Sequence, residues 1–206
     1  SPWAVRAPVR LAWLSALAGS AVLLAGMGTV VEPTFIALTS TAPVALATVL
    51  ALTVFDRLVA GLLGLMVAIL VALVLTPPHG YVLINLAGIA SVLFTLPVIR
   101  DRGSIVTMSL WLAGSLGLAT ALERLTSLPI DAARLVEVTT DAAGAAFGGL
   151  LVGGVTLFIL PWVERVFSVT TGMTLVELRD PKQTLLRELQ QKAPGTYNHS
   201  LNVATI

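Results

Sequence analysis

Six stretches of this 206-residue sequence stay apolar long enough, or nearly so, to cross a bilayer. No other feature constrains the fold as strongly. About 18–20 apolar residues wound as α-helix span about 30 Å of hydrocarbon. A helix also satisfies every backbone N–H and C=O within its own segment, which lipid cannot do for it. The stretches are residues 11–31, 35–55, 58–75, 81–99, 104–122 and about 133–160. Their connections are short, so sequence neighbours are expected to pack antiparallel. In the second stretch Thr39, Ser40, Thr41 and Pro43 are expected to kink or break the helix. The fold class is therefore all-α, a polytopic transmembrane helical bundle of about six helices.

Composition agrees. Hydrophobic residues make up 56% and charged residues 11%, where a soluble domain is about a quarter charged. The net charge of +1 excludes nucleic acid or a strongly anionic macromolecule as the main partner and leaves the lipid bilayer. With no cysteine, disulfides and thiolate metal sites are excluded, and two histidines are too few for an all-histidine site. No Walker, Rossmann or serine-nucleophile signature occurs. Ser1 to Arg10 holds two prolines and two arginines without the pattern of a cleavable signal, and the apolar rhythm at the other end stops abruptly at Ile206. Both ends are expected to be cuts in a longer chain.

Lys and Arg in short loops orient a bundle, because basic loops stay on the cytoplasmic side. Arg57 follows the second stretch, Arg100 and Arg102 follow the fourth, and Arg165, Arg179, Lys182, Arg187 and Lys192 follow the sixth. These ends, with Arg6 and Arg10, are expected to be cytoplasmic. The opposite loops carry Glu32, then Pro77-Pro78-His79-Gly80, then Glu123, Arg124, Asp131 and Arg134.

After Leu160 the composition changes. Pro161-Trp162-Val163-Glu164-Arg165 joins an interfacial tryptophan to charges and is expected to mark the membrane exit. Residues 168–178 read as an extended linker or short strand. Asp180-Pro181 is a helix start, with Asp as N-cap and Pro at the first helical position. The stripe Leu185, Leu186 and Leu189 follows, with Pro194-Gly195 as its stop. A last helix beginning near His199 would set His199, Val203 and Ile206 on one face.

This tail carries a resemblance. Leu-Pro-x-x-Glu-x-x-Phe from Leu160, Thr170-Thr171, Leu-x-Glu-Leu-x-Asp-Pro from Leu175, Leu-Leu-x-x-Leu from Leu185 and Ala-Pro-Gly-Thr-Tyr-x-His-Ser-Leu-x-Val-Ala from Ala193 closely resemble the seven-transmembrane receptors with an intracellular HD hydrolase domain. In the membrane part, residues 51–60 and Arg100-Asp101-Arg102 match more loosely. The resemblance implies a sensor domain upstream and a metal-dependent phosphohydrolase downstream, a phosphodiesterase that in bacteria acts on cyclic di-AMP. It divides the chain into a juxtamembrane segment (1–10), the bundle (11–160), a cytoplasmic connector with a short helix (161–192) and the truncated start of the α-helical HD domain (193–206).

By the same resemblance His199 is the first ligand of a divalent metal, manganese or iron, which would activate water against a phosphodiester. Family members often carry two consecutive histidines here, and Asn198 takes the place of the first. The remaining ligands are absent from the sequence, so neither a catalytic residue nor a complete site is expected within it. The implied setting is a bacterial inner membrane with the C-terminal end cytoplasmic and a cyclic dinucleotide as the substrate. Homo-oligomerisation is left open.

Other features have plainer readings. Asp141, one turn after Glu137, is either an intramembrane polar group or lies just before helix six enters the bilayer, and the second is favoured because residues 142–160 still suffice to span. Gly144-x-x-x-Gly148 and Gly149-x-x-x-Gly153 suit close helix packing. Asn198-His199-Ser200 has the form of a glycosylation sequon but lies on the expected cytoplasmic side. Three functions fit: a receptor's transmission bundle, a solute transporter with broken helices near the midplane, or a passive anchor.

Overall fold

The structure is a computed structural model that describes residues 2–31, 36–75, 80–95, 102–126, 132–167 and 184–204. Among these residues every regular element is helical: α1 (Pro2–Val31), α2 (Ile36–Val54), α3 (Arg57–Leu75), α4 (Tyr81–Thr95), α5 (Arg102–Leu125), α6 (Ala132–Phe167), α7 (Thr184–Lys192) and α8 (Pro194–Ala204). The chain is an all-α membrane helical bundle. Four helices, α2, α3, α5 and α6, are long and apolar enough to cross a bilayer, while the apolar parts of α1 (Ser15–Met27) and α4 (Tyr81–Thr95) are shorter.

Close contacts at small residues fix the register. A Cβ on Gly64 of α3 would overlap Thr48 of α2 and stand 3.2 Å from Ile89 of α4, and one on Gly61 would stand 3.1 Å from Leu93. A Cβ on Gly88 of α4 would lie 2.8 Å from Leu116 of α5, and one on Gly149 of α6 would lie 2.6 Å from the backbone N of Ala113. These pairs make α2 through α6 successively antiparallel. Arg57, Arg102 and Arg165 therefore collect at one end, and Gly80, Glu123, Arg124 and Ala132 at the other.

Two apolar cores share α2. One joins it to α1, α3 and α4 through Ala18, Ala21, Ala25, Ala47, Ala51 and Val67; the other joins it to α4, α5 and α6 through Val49, Met108, Leu112, Leu116 and Val152. Alanine-rich faces let these helices approach closely, while large apolar side chains such as Leu73, Phe94 and Phe158 point outward, as in a protein dissolved in lipid. Two buried hydroxyls are satisfied locally: Thr48 donates to Val44 O at 2.9 Å and Thr156 to Val152 O at 2.6 Å.

Several sequence expectations are corrected. Helix α1 begins at Pro2 rather than near residue 11. Helix α2 runs unbroken through Pro43. Its packing on both cores holds the residues around the proline helical, and Tyr81 Oη donates to Ser40 O at 3.0 Å in that turn. Helix α6 runs past the end of the apolar stretch at Leu160, through Pro161 to Phe167, with Leu160 and Val163, on either side of the proline, buried against the bundle. The last helix begins at Pro194, not near His199, since Pro has the φ of a first helical position and no N–H to leave unpaired. Residues 168–183, with the linker and the Asp180-Pro181 cap, lie outside the described residues, as does His79.

Candidate functional site

The two regions of chemical interest are the polar end of the bundle and the α7–α8 pair. At the polar end Gly80 turns the chain into α4 with φ of 89°, a left-handed conformation that glycine adopts without steric cost. There is no space for a side chain either, because a Cβ on Gly80 would overlap Glu123 of α5. The next residue, Arg124, bonds Asp141 of α6 through Nη2 at 2.7 Å, and its Nε stands 3.8 Å from Glu123. Both partners of the short pair are mostly covered, their side chains 21% and 16% exposed, so the pair ties the end of α5 to α6 out of full contact with solvent. Arg134 and Glu137 form a more exposed pair at 3.1 Å within the first turns of α6.

The sequence offers Asp141, with Glu137 one turn earlier, as an intramembrane polar group or as a residue before the bilayer, and does not name Arg124 as its cation. The signal was present in the antiparallel α5–α6 pairing, which sets Gly149 against Ala113 and Gly117 against Ala142 and Ala146, and so brings Arg124 level with the first turns of α6. One turn deeper, Tyr81 bonds α2, Asn85 Nδ2 donates to Tyr81 O at 3.0 Å, and Thr120 Oγ1 is buried without a hydrogen-bond partner among the described residues. The glycine pairs of α6 divide as the contacts require: Gly149 and Gly153 face α5, Gly148 faces α2, and Gly144 meets nothing within 4 Å.

At the other end of the chain α7 and α8 pack on each other across a break at Ala193. Ala193 N donates to Leu189 O at 2.8 Å and Tyr197 N to Ala193 O at 3.1 Å, so hydrogen bonding of the helical kind carries on across this residue. Leu186 and Leu189 are half-buried, Leu185 is exposed, and Tyr197 is buried. Half a turn from Tyr197, His199 is exposed, as is Asn198. No group of three or more potential metal ligands occurs among the described residues. Among the described residues His199 is an accessible imidazole on a helix, and one imidazole does not by itself hold an ion.

A seven-helix receptor family model, described as "7TM receptor with intracellular HD hydrolase", matches residues 11–171. The chain belongs to this family. Among curated relatives, the cyclic-di-AMP phosphodiesterase PgpH of Listeria monocytogenes is 36% identical over 133 residues, covering 61% of this chain and 17% of the relative. The PgpH of Bacillus subtilis is 32% identical over 81 residues, covering 35% of this chain and 11% of the relative. An uncharacterized protein of Synechocystis is 35% identical over 78 residues, covering 37% and 10%. The chain thus spans no more than 17% of the length of these relatives. No solved structure matches it. The family match covers all six bundle helices except the first turns of α1, and it ends before α7.

Proposed function

We propose that this chain is the transmission bundle of a membrane-bound, metal-dependent HD phosphohydrolase that hydrolyses a cyclic dinucleotide, cyclic di-AMP being the first candidate. The observation that carries the reading is the family match over residues 11–171, joined to the similarity with the two PgpH phosphodiesterases. The loop charge bias supports a cytoplasmic basic end, where α7 would lie between the bilayer and a catalytic domain that starts with α8, in a bacterial inner membrane.

In this reading His199 would hold manganese or iron together with ligands from beyond residue 206. The metal would lower the pKa of a bound water and so supply the nucleophile against the phosphodiester. The exposed imidazole offers a ring nitrogen, two residues after the buried Tyr197 on the same helix. A lone imidazole is otherwise more often structural than ligating, and it is the flanking sequence that favours the metal role. Against the transporter reading, α2 is not broken at Pro43.

The test is hydrolysis of cyclic di-AMP by the full-length protein supplied with manganese or iron, measured beside the 206-residue chain. Turnover by the full-length protein alone is expected. Substantial turnover by the shorter chain, or none by the full-length protein with either metal, would overturn the assignment.

A further inference from the structure

Trp111 stands where a tryptophan facing lipid is out of place. Helix α5 runs 24 residues from Arg102 to Leu125, about 36 Å at 1.5 Å per residue. Trp111 lies about 14 Å along the axis from Arg102 and about 20 Å from Arg124, within about 3 Å of the midpoint between these charges. Tryptophans of membrane helices collect instead at the two interfaces, where the ring sits among headgroups and the indole N–H meets water. Trp162, beside Glu164 and Arg165, follows that rule. Trp111 is 64% exposed and points away from the bundle. Leu116 of α5 meets Gly88 of α4, Ala113 and Gly117 meet α6, and steps of about 100° per residue set Trp111 on the opposite side of the helix.

An indole N–H at this depth needs an acceptor that lipid does not supply, since acyl chains have none and lipid carbonyls lie at the interface. Trp111 makes no side-chain hydrogen bond within the described residues. The residues that share its face form one strip. Ser104, Thr107, Trp111, Gly114, Leu118 and Ala121 follow at alternating steps of three and four, the spacing of a helix-pairing seam. Thr107, Gly114 and Leu118 are exposed like Trp111. A Cβ at Gly114 would meet nothing within 4 Å, so the fold of this chain does not require a glycine there, and its absence leaves a hollow beside the Trp111 ring. The outward side of α3 carries large side chains instead, Leu58, Leu62, Met66 and Leu73. Small residues in a membrane helix permit close approach of another helix.

The chemistry of the strip selects a second copy of the chain. A bilayer inserts every copy in the same orientation, so two α5 helices related by a two-fold axis along the membrane normal run parallel and meet level with level. Each then sets a ring against the hollow of the other, and an indole donor within one turn of the other's Thr107 hydroxyl, which accepts. Donor and acceptor, projection and hollow lie one turn apart on the same strip, which therefore complements itself. A contact as long as α5 and one helix wide, about 10 Å, covers about 360 Å² per copy. That is under half of the about 800 Å² per partner in a standard stable complex, so the pairing is reversible.

We propose that the outward face of α5 is a self-association surface, on which a second copy of this chain packs its own α5 in parallel, Trp111 of each copy donating to Thr107 of the other. The inference uses neither the C-terminal segment nor the metal ligand, so it and the hydrolase reading can fail separately.

The test uses the full-length protein in native membranes, with a benzophenone amino acid replacing Leu118 on the strip or, as control, Leu62 on the outward side of α3. After irradiation, adducts are identified by mass spectrometry. Each copy has one α5, so an α5 peptide joined to another α5 peptide comes from two copies. Such an adduct is expected from position 118 and not from position 62. Gly114→Leu fills the hollow on the side away from the bundle, so it should leave membrane insertion unchanged and remove most of the adduct. Trp111→Leu keeps an apolar side chain without the donor and should lower the yield about threefold, the effect of one interhelical hydrogen bond in a membrane. Capture of lipid alone, of another protein or of a different segment of the same chain would overturn the proposal. So would no adduct, equal α5 adducts from both positions, or a yield unchanged by either substitution.

Discussion

Arg124 and Asp141 show how a charge is made tolerable near the membrane. Each would be costly alone, and at 2.7 Å each neutralises the other while joining two helices. Arg124→Met and Asp141→Asn should each destabilise the bundle, and the double variant should lose less than the sum, with a coupling of about 1 kcal/mol at this partial exposure. Unfolding titrations in mixed micelles measure the cycle, and additive single effects would show that the pair contributes nothing. The buried hydroxyls give a sharper contrast. Thr120 lacks a partner, so Thr120→Val should be neutral or stabilising by up to about 1 kcal/mol. Tyr81→Phe should cost about 0.6 kcal/mol through loss of its bond to Ser40 O. In the full-length protein His199→Ala should lower metal content and abolish hydrolysis without affecting membrane insertion, while Asn198→Ala stays mild. Full metal and turnover in His199→Ala, with both lost in Asn198→Ala, would move the ligand by one position.

At the scale of elements, the α5–α6 pair depends on absent side chains. A Cβ at Gly149 would lie 2.6 and 2.7 Å from the Ala113 backbone N and Cα, atoms that cannot rotate away. Gly149→Ala should therefore cost about 1–3 kcal/mol, whereas Gly144→Ala in the 206-residue chain should cost almost nothing. The same unfolding titration ranks them, and equal effects would contradict this helix pairing. Helix α3 depends on a cap instead. Asp56 Oδ1 accepts the Val59 N–H at 3.0 Å directly after α2 ends, so one residue both turns the chain and starts the next helix. Asp56→Ala should cost about 1 kcal/mol. These details were only partly legible beforehand. The GxxxG spacing announced close packing, but it could not say that Gly148 turns to α2, Gly149 and Gly153 to α5, and Gly144 to neither. Helix periodicity fixes which residues share a face and leaves the neighbour of that face undetermined.

For the whole molecule, the antiparallel register gathers Arg57, Arg102 and Arg165 at one end and Glu123, Arg124 and Asp141 toward the other. Cysteines placed at Arg57, Arg102 and Lys182 should resist an impermeant thiol reagent in intact cells, and one at His79 should react. Residues 1–206 contain no cysteine, so each label on a peptide from this region reports one site. Labelling of Lys182→Cys from outside would put the C-terminal segment on the wrong side for a cytoplasmic hydrolase.

The sequence by itself determined the class of solvent and the elements: apolar length alone requires backbone groups to be paired within each segment, so membrane helices follow without knowledge of their neighbours. It did not determine where helices end when packing competes with local signals. The apolar run stops at Leu160, while α6 extends to Phe167 with Leu160 and Val163 buried against other helices. Nor did it determine the central place of α2, the uncovered face of α5, or the cation opposite Asp141. Those depend on contacts between residues far apart in the chain, and only the packed bundle brings such residues within reach of one another.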